Sequence, residues 1–292
     1  RPNSRALIQM TGMRSIGGLD HVIVLVQDLG RAVKAWGRLG FNPTPEALHS
    51  AAMGTANTTI VFADQTYIEL LAVRDETPLS AGFVAQLRER EGPFGIACKT
   101  GDAGASAEEF EAAGVGQGGA IDFARPVELP GGVRDAAFSI ARLAPSATPG
   151  SSMFVCQHHT PDVVWRPEHL EQPNEATGLR EVIGVASDLE PLAQAYRRLF
   201  GERLEATRDG LAVATGTATL RFLTPLAFAD RFGQIARSGD AHLAALVLAT
   251  ADLRRCREVL EGQGVTVARS VRDTLLIPPD AASETTLEFV QA

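Results

Sequence analysis

The sequence has few features that would support a disulfide framework, secretion or a membrane span. Its three cysteines, Cys98, Cys156 and Cys256, are odd in number, widely separated and without CxxC spacing, which argues against both disulfide pairing and a thiolate zinc site. The N-terminal RPNSRALIQMTGMRS lacks the apolar region of a signal peptide, and the longest aliphatic run, 22–26, is too short to cross a bilayer. We therefore expect a cytoplasmic protein with no membrane partner.

The chain also lacks any run of Lys and Arg. Its formal net charge is -8, so it has no basic surface to neutralise phosphates, and we expect no nucleic-acid partner. Apolar residues make up 45% of the chain and charged residues 21%, which is typical of a folded globular protein. The length of 292 residues indicates two domains, and formation of a homodimer is left open.

Four segments of the chain share one layout. Each begins with a short apolar run, reaches an Asp, continues as an amphipathic helix and ends at a Gly 12 or 13 residues after the Asp. The Asp can accept hydrogen bonds from the first helical N–H groups, and the Gly can adopt the left-handed conformation that ends a helix. The repeated pairs are Asp28 and Gly40, Asp102 and Gly114, Asp188 and Gly201, and Asp252 and Gly264.

About three extended stretches follow each helix. They are clearest in the first unit as FNPTPEALH, NTTIVFA and TYIELLAV, where period-two patterning and β-branched residues predict strands. The sequence therefore predicts an α+β protein made of four βαβββ modules in two pairs. We expect an N-terminal segment at 1–18, a first domain at 19–162, a linker at 163–178 and a shorter second domain at 179–292.

Several of these stretches point to a known superfamily. LDHVIVLVQDL, the LGF after its helix, TYIELLA and HHTPDVVWRPEHLEQPN together resemble the vicinal oxygen chelate superfamily of glyoxalases and bleomycin-resistance proteins. More narrowly, the chain resembles the uncharacterised glyoxalase-like domain proteins. The resemblance covers nearly the whole chain and implies two paired-module domains, each with a curved, half-open sheet around a pocket.

The resemblance also implies a set of metal-ligand positions. In metal-dependent members the first and last strands of each module present one ligand apiece, usually His or Glu and sometimes Gln. In this chain those positions carry His21 and Glu69 in the first module, and Gly95 and Gln157 in the second. His21, Glu69 and Gln157 are the implied ligands of a divalent ion such as Fe, Mn, Co, Ni or Zn; a site without any cofactor is equally compatible with the sequence.

The second domain carries different residues at these positions. Counting in the same way gives Glu181 and Arg221 in the third module, and Ala245 and Glu288 in the fourth. An Arg repels a cation, so we interpret Glu181 and Arg221 as a neutralising pair. The second domain is expected to be a degenerate copy of the first, with a structural role or a role in completing the pocket.

His21 and Glu69 are also the predicted catalytic residues. A carboxylate between Ile68 and Leu70 in a buried strand needs a partner, and His21 can supply it as a hydrogen-bonded acid/base dyad or as a fellow metal ligand. We predict Tyr67, His159 and Gln157 as substrate-binding residues, with His159 on the same strand face as Gln157 by alternation.

Two functions of different classes are favoured, and a third possibility is an interaction or structural protein with both pockets vestigial. The first is metal-assisted lyase, isomerase or hydrolase chemistry on a small oxygen-rich molecule in the first-domain pocket. The alternative is a metal-free protein that binds or sequesters a small molecule, as bleomycin-resistance members of the superfamily do. Both imply a small-molecule ligand, and the sequence leaves open whether the chain is an enzyme.

Overall fold

The computed structural model describes residues 12–270 and 272–292, so most of the predicted N-terminal segment lies outside the described residues. In the described part, two sheets of eight strands each follow one another along the chain. The first sheet contains β1 (Leu19–Leu25), β2 (Ala47–Leu48), β3 (Thr55–Val61), β4 (Tyr67–Val73), β5 (Gly92–Lys99), β6 (Ile121–Leu129), β7 (Gly132–Arg142) and β8 (Ser152–His158). The second contains β9 (Ala176–Val185), β10 (Leu204–Thr207), β11 (Gly210–Ala214), β12 (Thr219–Leu223), β13 (His242–Thr250), β14 (Ala268–Arg269), β15 (Leu275–Ile277) and β16 (Thr286–Gln291).

The helices complete the four βαβββ modules, so the predicted α+β fold is confirmed. One helix follows the first strand of each module, and further short helices lie between modules. The module helices are α1 (Leu29–Arg38), α3 (Ala103–Ala112), α6 (Glu190–Phe200) and α8 (Leu253–Gly262); the helices between modules are α2 (Ala81–Glu89), α4 (Pro161–Val164), α5 (Pro167–Leu170) and α7 (Pro225–Phe232).

The repeated Asp begins the module helix in three of the four copies. The side chains of Asp28, Asp102 and Asp252 each accept a hydrogen bond from the backbone N–H three residues later, which satisfies a free donor of the first turn. In the third module the helix begins one residue later, after Leu189. The reason is Pro191, which has no N–H at the position three residues after Asp188.

The repeated Gly ends the helix as predicted. Gly40, Gly114, Gly201 and Gly264 all have positive φ, at 77°, 66°, 55° and 71°, a conformation that a residue with a side chain adopts only at a cost. Each chain reversal then leads into the strands that follow.

Both sheets have the same strand order. The first runs β2-β3-β4-β1-β5-β8-β7-β6 and the second β10-β11-β12-β9-β13-β16-β15-β14. Within each module the first and last strands are parallel, and the two modules of a pair meet through antiparallel pairing of their first strands. The first strand of each module therefore lies at the centre of its sheet, and in β1 all seven residues are buried.

The first sheet curves around a cavity. The imidazole ring of His49, which follows β2, lies 6.0 Å from the ring of Phe123 in β6, although β2 and β6 are the two ends of the sheet. Strands from both halves of the sheet line this cavity, which has a volume of about 120 Å³.

The corresponding face of the second sheet is filled. Phe228 and Phe232 of α7 are both 2% exposed and pack with Ile183 and Val247 of the sheet. Helix α2, which follows β4 in the first domain as α7 follows β12 in the second, has no fully buried residue. The first domain therefore has an open cavity at the face of the sheet that the side chains of α7 fill in the second domain.

The predicted linker is packed against the first domain. Val163 and Val164 of α4 are buried in one apolar cluster with Tyr67 and Phe138, and β9 begins at Ala176. The predicted domain limits stay predictions. Among the described residues, the helices are all too short or too polar to span a membrane.

Candidate functional site

A β-bulge in β1 brings two adjacent side chains into the first-domain site. The pairing of β1 with β5 shifts by one residue between Leu19 and His21, and such a shift redirects side chains that would otherwise alternate. Asp20 and His21 are only 0% and 3% exposed. The bulge thus buries a carboxylate beside an imidazole at the centre of the sheet.

The Asp20 carboxylate connects two histidines. Its Oδ2 atom accepts hydrogen bonds from His21 Nδ1 at 2.7 Å and from His158 Nε2 at 2.9 Å. Burial alone would raise the pKa of Asp20, but the hydrogen bonds and charges of His158 and His21 lower it to about 2. Asp20 is therefore ionised at neutral pH, and because it binds His21 Nδ1, the Nε2 atom of that ring is the nitrogen that faces Glu69.

Glu69 faces the Nε2 atom of His21. His21 Nε2 and Glu69 Oε2 are 3.6 Å apart, which is longer than a hydrogen bond, while Glu69 Oε1 accepts a hydrogen bond of 2.6 Å from Asn57 Nδ2. Glu69 is 7% exposed. The structure thus brings together the predicted pair His21 and Glu69, each held by a neighbour on its other side.

His49 is a third group at this site, which the sequence did not predict. Its Nε2 atom lies 3.9 Å from Glu69 Oε1, and its Nδ1 atom is 2.7 Å from Thr55 Oγ1. Burial lowers the pKa of His49; Glu69 opposes this shift and Arg125 adds to it. His49 is therefore neutral at physiological pH. It comes from the short β2–β3 connection, outside the repeated positions, so no spacing signal points to it.

Tyr67 lies where a substrate-binding residue was predicted. Its ring stacks on that of His21 at 4.2 Å between centroids and 18° between planes, and it lines the cavity. Burial raises the pKa of Tyr67 well above its ordinary value, and the charge of Asp20 raises it further. The phenol therefore stays protonated and can donate a hydrogen bond.

Gln157 lies elsewhere, and its predicted role as a ligand and substrate contact needs correction. Its Nε2 atom donates to Gly101 O at 2.8 Å and its Oε1 atom accepts from Ala103 N at 3.1 Å, so the side chain faces the start of α3. The strand register explains the error. In the pairing of β5 with β8, Gly95 lies opposite Ser152, as His21 lies opposite Tyr67 in the pairing of β1 with β4. Glu69 is two residues after Tyr67, so the corresponding position in β8 is Phe154, two residues after Ser152.

His159 also lies outside the site, in contrast to the prediction. It is exposed, and its Nε2 atom is 2.7 Å from Ser139 Oγ. The neighbouring His158 is the histidine that reaches the site, because it shares the strand face of Phe154 and Cys156, which line the cavity.

The described residues contain one other group of close metal-ligating atoms, formed by Asp20, Cys156 and His158. Burial raises the pKa of Cys156 well above its ordinary value, so its sulfur is a thiol, which is a poor metal ligand. Asp20 Oδ2 is already occupied by two histidine donors. This group is better described as a hydrogen-bonded cluster that orients His21.

In the second domain, salt bridges fill the corresponding positions. The predicted pair is confirmed: Arg221 donates to Glu181 Oε1 at 3.0 and 3.2 Å. Arg231 of α7 contacts Glu181 Oε2 at 2.6 Å and Glu288 Oε2 at 2.7 Å, and Thr274 donates to Glu288 Oε1 at 2.7 Å. The guanidinium groups of Arg221 and Arg231 together thus neutralise the carboxylates of Glu181 and Glu288.

Comparisons with known proteins agree with this architecture. The model of a family described as glyoxalase-like domain matches residues 19–200, which is more than half of the chain. No curated protein matches the sequence.

Solved structures show the same fold at low sequence identity. A hypothetical protein from Staphylococcus aureus is 13% identical with a TM-score of 0.67, covering 94% of this chain and 99% of its own. A mutant of 4-hydroxymandelate synthase from Streptomyces coelicolor is 13% identical with a TM-score of 0.59, covering 95% and 93%. A fusion of a xylose isomerase-like TIM barrel with 4-hydroxyphenylpyruvate dioxygenase is also 13% identical, with a TM-score of 0.53, covering 96% of this chain and 50% of the fusion.

Proposed function

This chain belongs to the glyoxalase-like domain family, and from that starting point we propose that its first domain is an enzyme domain for proton transfer on a small oxygen-bearing molecule. The proposal includes a divalent metal ion held by His21 and Glu69. One observation carries it. His21 Nε2 and Glu69 Oε2 face each other at 3.6 Å, which is too far for a direct hydrogen bond and close to the separation of two ligands of one cation.

The donor set fits a divalent ion. Two ligands of one ion with bonds of about 2.1 Å are separated by roughly 3 to 3.5 Å, close to the observed separation. Metal-bound histidines usually donate their other N–H to a carboxylate, as His21 does to Asp20. An imidazole nitrogen beside a carboxylate oxygen suits Mn, Fe, Co, Ni or Zn. Asn57 holds Glu69 Oε1 and leaves Oε2 free for this role.

The residues around this pair have separable tasks. A bound divalent ion would polarise a substrate oxygen and make a neighbouring proton easier to remove. The neutral imidazole of His49 is available to take that proton at Nε2, with Glu69 Oε1 at 3.9 Å to stabilise the resulting charge. The Tyr67 phenol can donate a hydrogen bond to a substrate oxygen. Phenylalanine and aliphatic side chains in the cavity wall exclude water from these groups.

The main alternative is a metal-free protein that binds or sequesters a small molecule. It is favoured by one feature of the second module, in which the positions equivalent to His21 and Glu69 carry Gly95 and Phe154. Neither residue can ligate a metal, so half of the usual ligand set is missing.

Metal titration tests the proposal directly. Untagged protein is stripped with a chelator and titrated with MnCl2 by calorimetry, in parallel with His21→Ala, Glu69→Gln and the control His159→Ala, which removes an exposed histidine outside the cavity. We expect one Mn²⁺ per chain and a loss of affinity of at least about 100-fold in the first two variants, since even outer residues cost 10- to 100-fold. The control should match wild type. Absence of binding by wild type would establish the metal-free alternative, and binding unaffected by His21→Ala would place the metal elsewhere.

A further inference from the structure

Arg125 is a buried cation for which the described part of the chain provides no partner. It lies in β6, is 7% exposed and lines the same cavity as His21 and Glu69. Burial lowers the pKa of its guanidinium and so does the charge of Arg166, while Tyr67 and Glu69 oppose the shift. Within residues 12–270 and 272–292, its side chain makes neither a hydrogen bond nor an ion pair.

Two half-buried arginines of this chain are compensated. The guanidinium of Arg231 binds two carboxylates, and that of Arg90 donates to the carbonyl oxygens of Glu91, Pro93 and Leu243. A desolvated charge without such partners costs several kcal/mol. Arg125 therefore destabilises the folded protein unless a ligand supplies the missing hydrogen-bond acceptors.

Glu69 does not compensate the charge of Arg125. It lies near enough to influence the pKa of Arg125, yet no ion pair joins them. The Glu69 oxygens are directed instead to Asn57, His21 and His49. The guanidinium and the His21–Glu69 pair are thus two separate polar poles of one cavity, whose wall also carries apolar side chains.

We propose that Arg125 binds the carboxylate of a small monocarboxylic acid whose reacting oxygen lies at the His21–Glu69 pole. This inference deepens the proposed function and rests on it only in assuming that this cavity is the substrate site. A planar guanidinium pairs with a carboxylate through two parallel hydrogen bonds. The apolar part of the acid would pack on apolar side chains that line the cavity, among them Ile23, Leu71, Phe123, Phe138 and Phe154.

Size and charge define the class of acid further. The cavity volume of about 120 Å³ is slightly below the ~150 Å³ of a cavity that holds benzene, so the ligand is compact. One guanidinium neutralises one carboxylate. A phosphate monoester carries close to two negative charges, and Arg125 matches only one of them. A single carboxylate is therefore the better match.

Pairs of molecules with the same shape and different charge test this inference. Benzoate and benzamide, and isobutyrate and isobutyramide, are titrated into wild-type protein by calorimetry, with phenyl phosphate as a third class of probe. We expect the acids to bind and their neutral amides to bind at least about tenfold more weakly, because hydrogen bonds between charged groups are the strong ones. Equal binding of acid and amide, binding of neither acid, or tighter binding of phenyl phosphate than of benzoate would each overturn the proposal.

Variants at position 125 separate a binding role from a structural one. Arg125→Met should lose benzoate binding by at least about tenfold while the ligand-free protein unfolds at the same or a higher temperature, because an uncompensated buried charge is removed. The matched control is Arg134→Gln, on the neighbouring strand β7, where the arginine is exposed and pairs with Asp162; it should bind benzoate as wild type does. A lower unfolding temperature of Arg125→Met with benzoate binding retained would show that Arg125 is structural.

Glu69→Gln distinguishes this inference from the proposed metal site. It should lose Mn²⁺ and keep Arg125-dependent binding of benzoate. If wild type binds Mn²⁺ but no carboxylate, the inference about Arg125 fails and the metal proposal stands. If it binds benzoate through Arg125 but no Mn²⁺, the inference stands and the metal proposal fails.

Discussion

Replacing Asp20 with Asn tests whether the buried carboxylate stabilises the site through its charge. The amide is nearly isosteric, and its oxygen can still accept from His21 and His158, so the main change is loss of the negative charge. The amide nitrogen would occupy the position of Asp20 Oδ1, which has no hydrogen-bond partner. Because this buried amide adds a cost that does not depend on pH, the pH-dependent part of the stability difference reports the charge of Asp20.

The pKa of Asp20 sets the magnitude. The pKa falls from 3.8 to about 2, and each pKa unit corresponds to about 1.36 kcal/mol, which gives about 2 kcal/mol. Because the folded-state pKa is depressed, this stabilisation is fully present above the unfolded-state pKa and is lost as the pH falls through the folded-state value. Asp20→Asn should thus be at least about 2 kcal/mol less stable than wild type at pH 7, and this stability difference should be about 1 kcal/mol smaller at pH 3.

Urea unfolding followed by circular dichroism at both pH values measures this difference. Asp135→Asn, an exposed position on β7, is the control and should match wild type at both. The difference between Asp20→Asn and wild type must narrow on acidification. If the difference in the free energy of unfolding is the same at pH 7 and pH 3, or absent at pH 7, the charge of Asp20 does not stabilise the protein.

Two further predictions concern the scaffold and the second domain. Arg231→Leu removes the cation between Glu181 and Glu288 and should destabilise the protein by about 3 kcal/mol in urea unfolding; wild-type stability would show that the network contributes nothing. Asp102→Ala removes the N-cap of α3 and should cost about 1 kcal/mol, whereas Asp188→Ala, which removes the one repeated Asp that is not an N-cap, should cost less in the same measurement.

The repeat explains why half of the site was predictable from the sequence. Local rules govern the helix starts and stops, because an Asp cap and a positive-φ Gly act within one turn. Counting back from Asp28 gives His21, and TYIELLA is short and strongly patterned, so Glu69 follows with little ambiguity. Both residues lie where the repeat predicted them.

The other half of the site depends on how the strands pair across the sheet. Gln157 and His159 were predicted at the site, but β8 follows the long hairpin of β6 and β7, so counting along the chain does not set its register. The bulge that turns Asp20 toward His158 arises from the pairing of β1 with β5, which sequence spacing does not reveal.

The alternation of side chains along β6 could have predicted Arg125 as a residue of the site. Ile121, Phe123 and Arg125 are two residues apart and share one face of β6, and all three line the cavity. A charged residue on an otherwise apolar strand face indicates either a buried partner or a ligand. By contrast, His49 has no periodic neighbours, and only the closure of the sheet brings it to Glu69.

The most direct test of the central claim is a crystal structure of the protein grown with MnCl2, with anomalous diffraction used to locate manganese. We expect an anomalous peak in the first-domain cavity, in contact with His21 Nε2 and Glu69 Oε2, and none beside Glu181 and Glu288, whose charges Arg221 and Arg231 already neutralise. A first-domain cavity without manganese at saturating concentration, or a peak in the second domain instead, would contradict it.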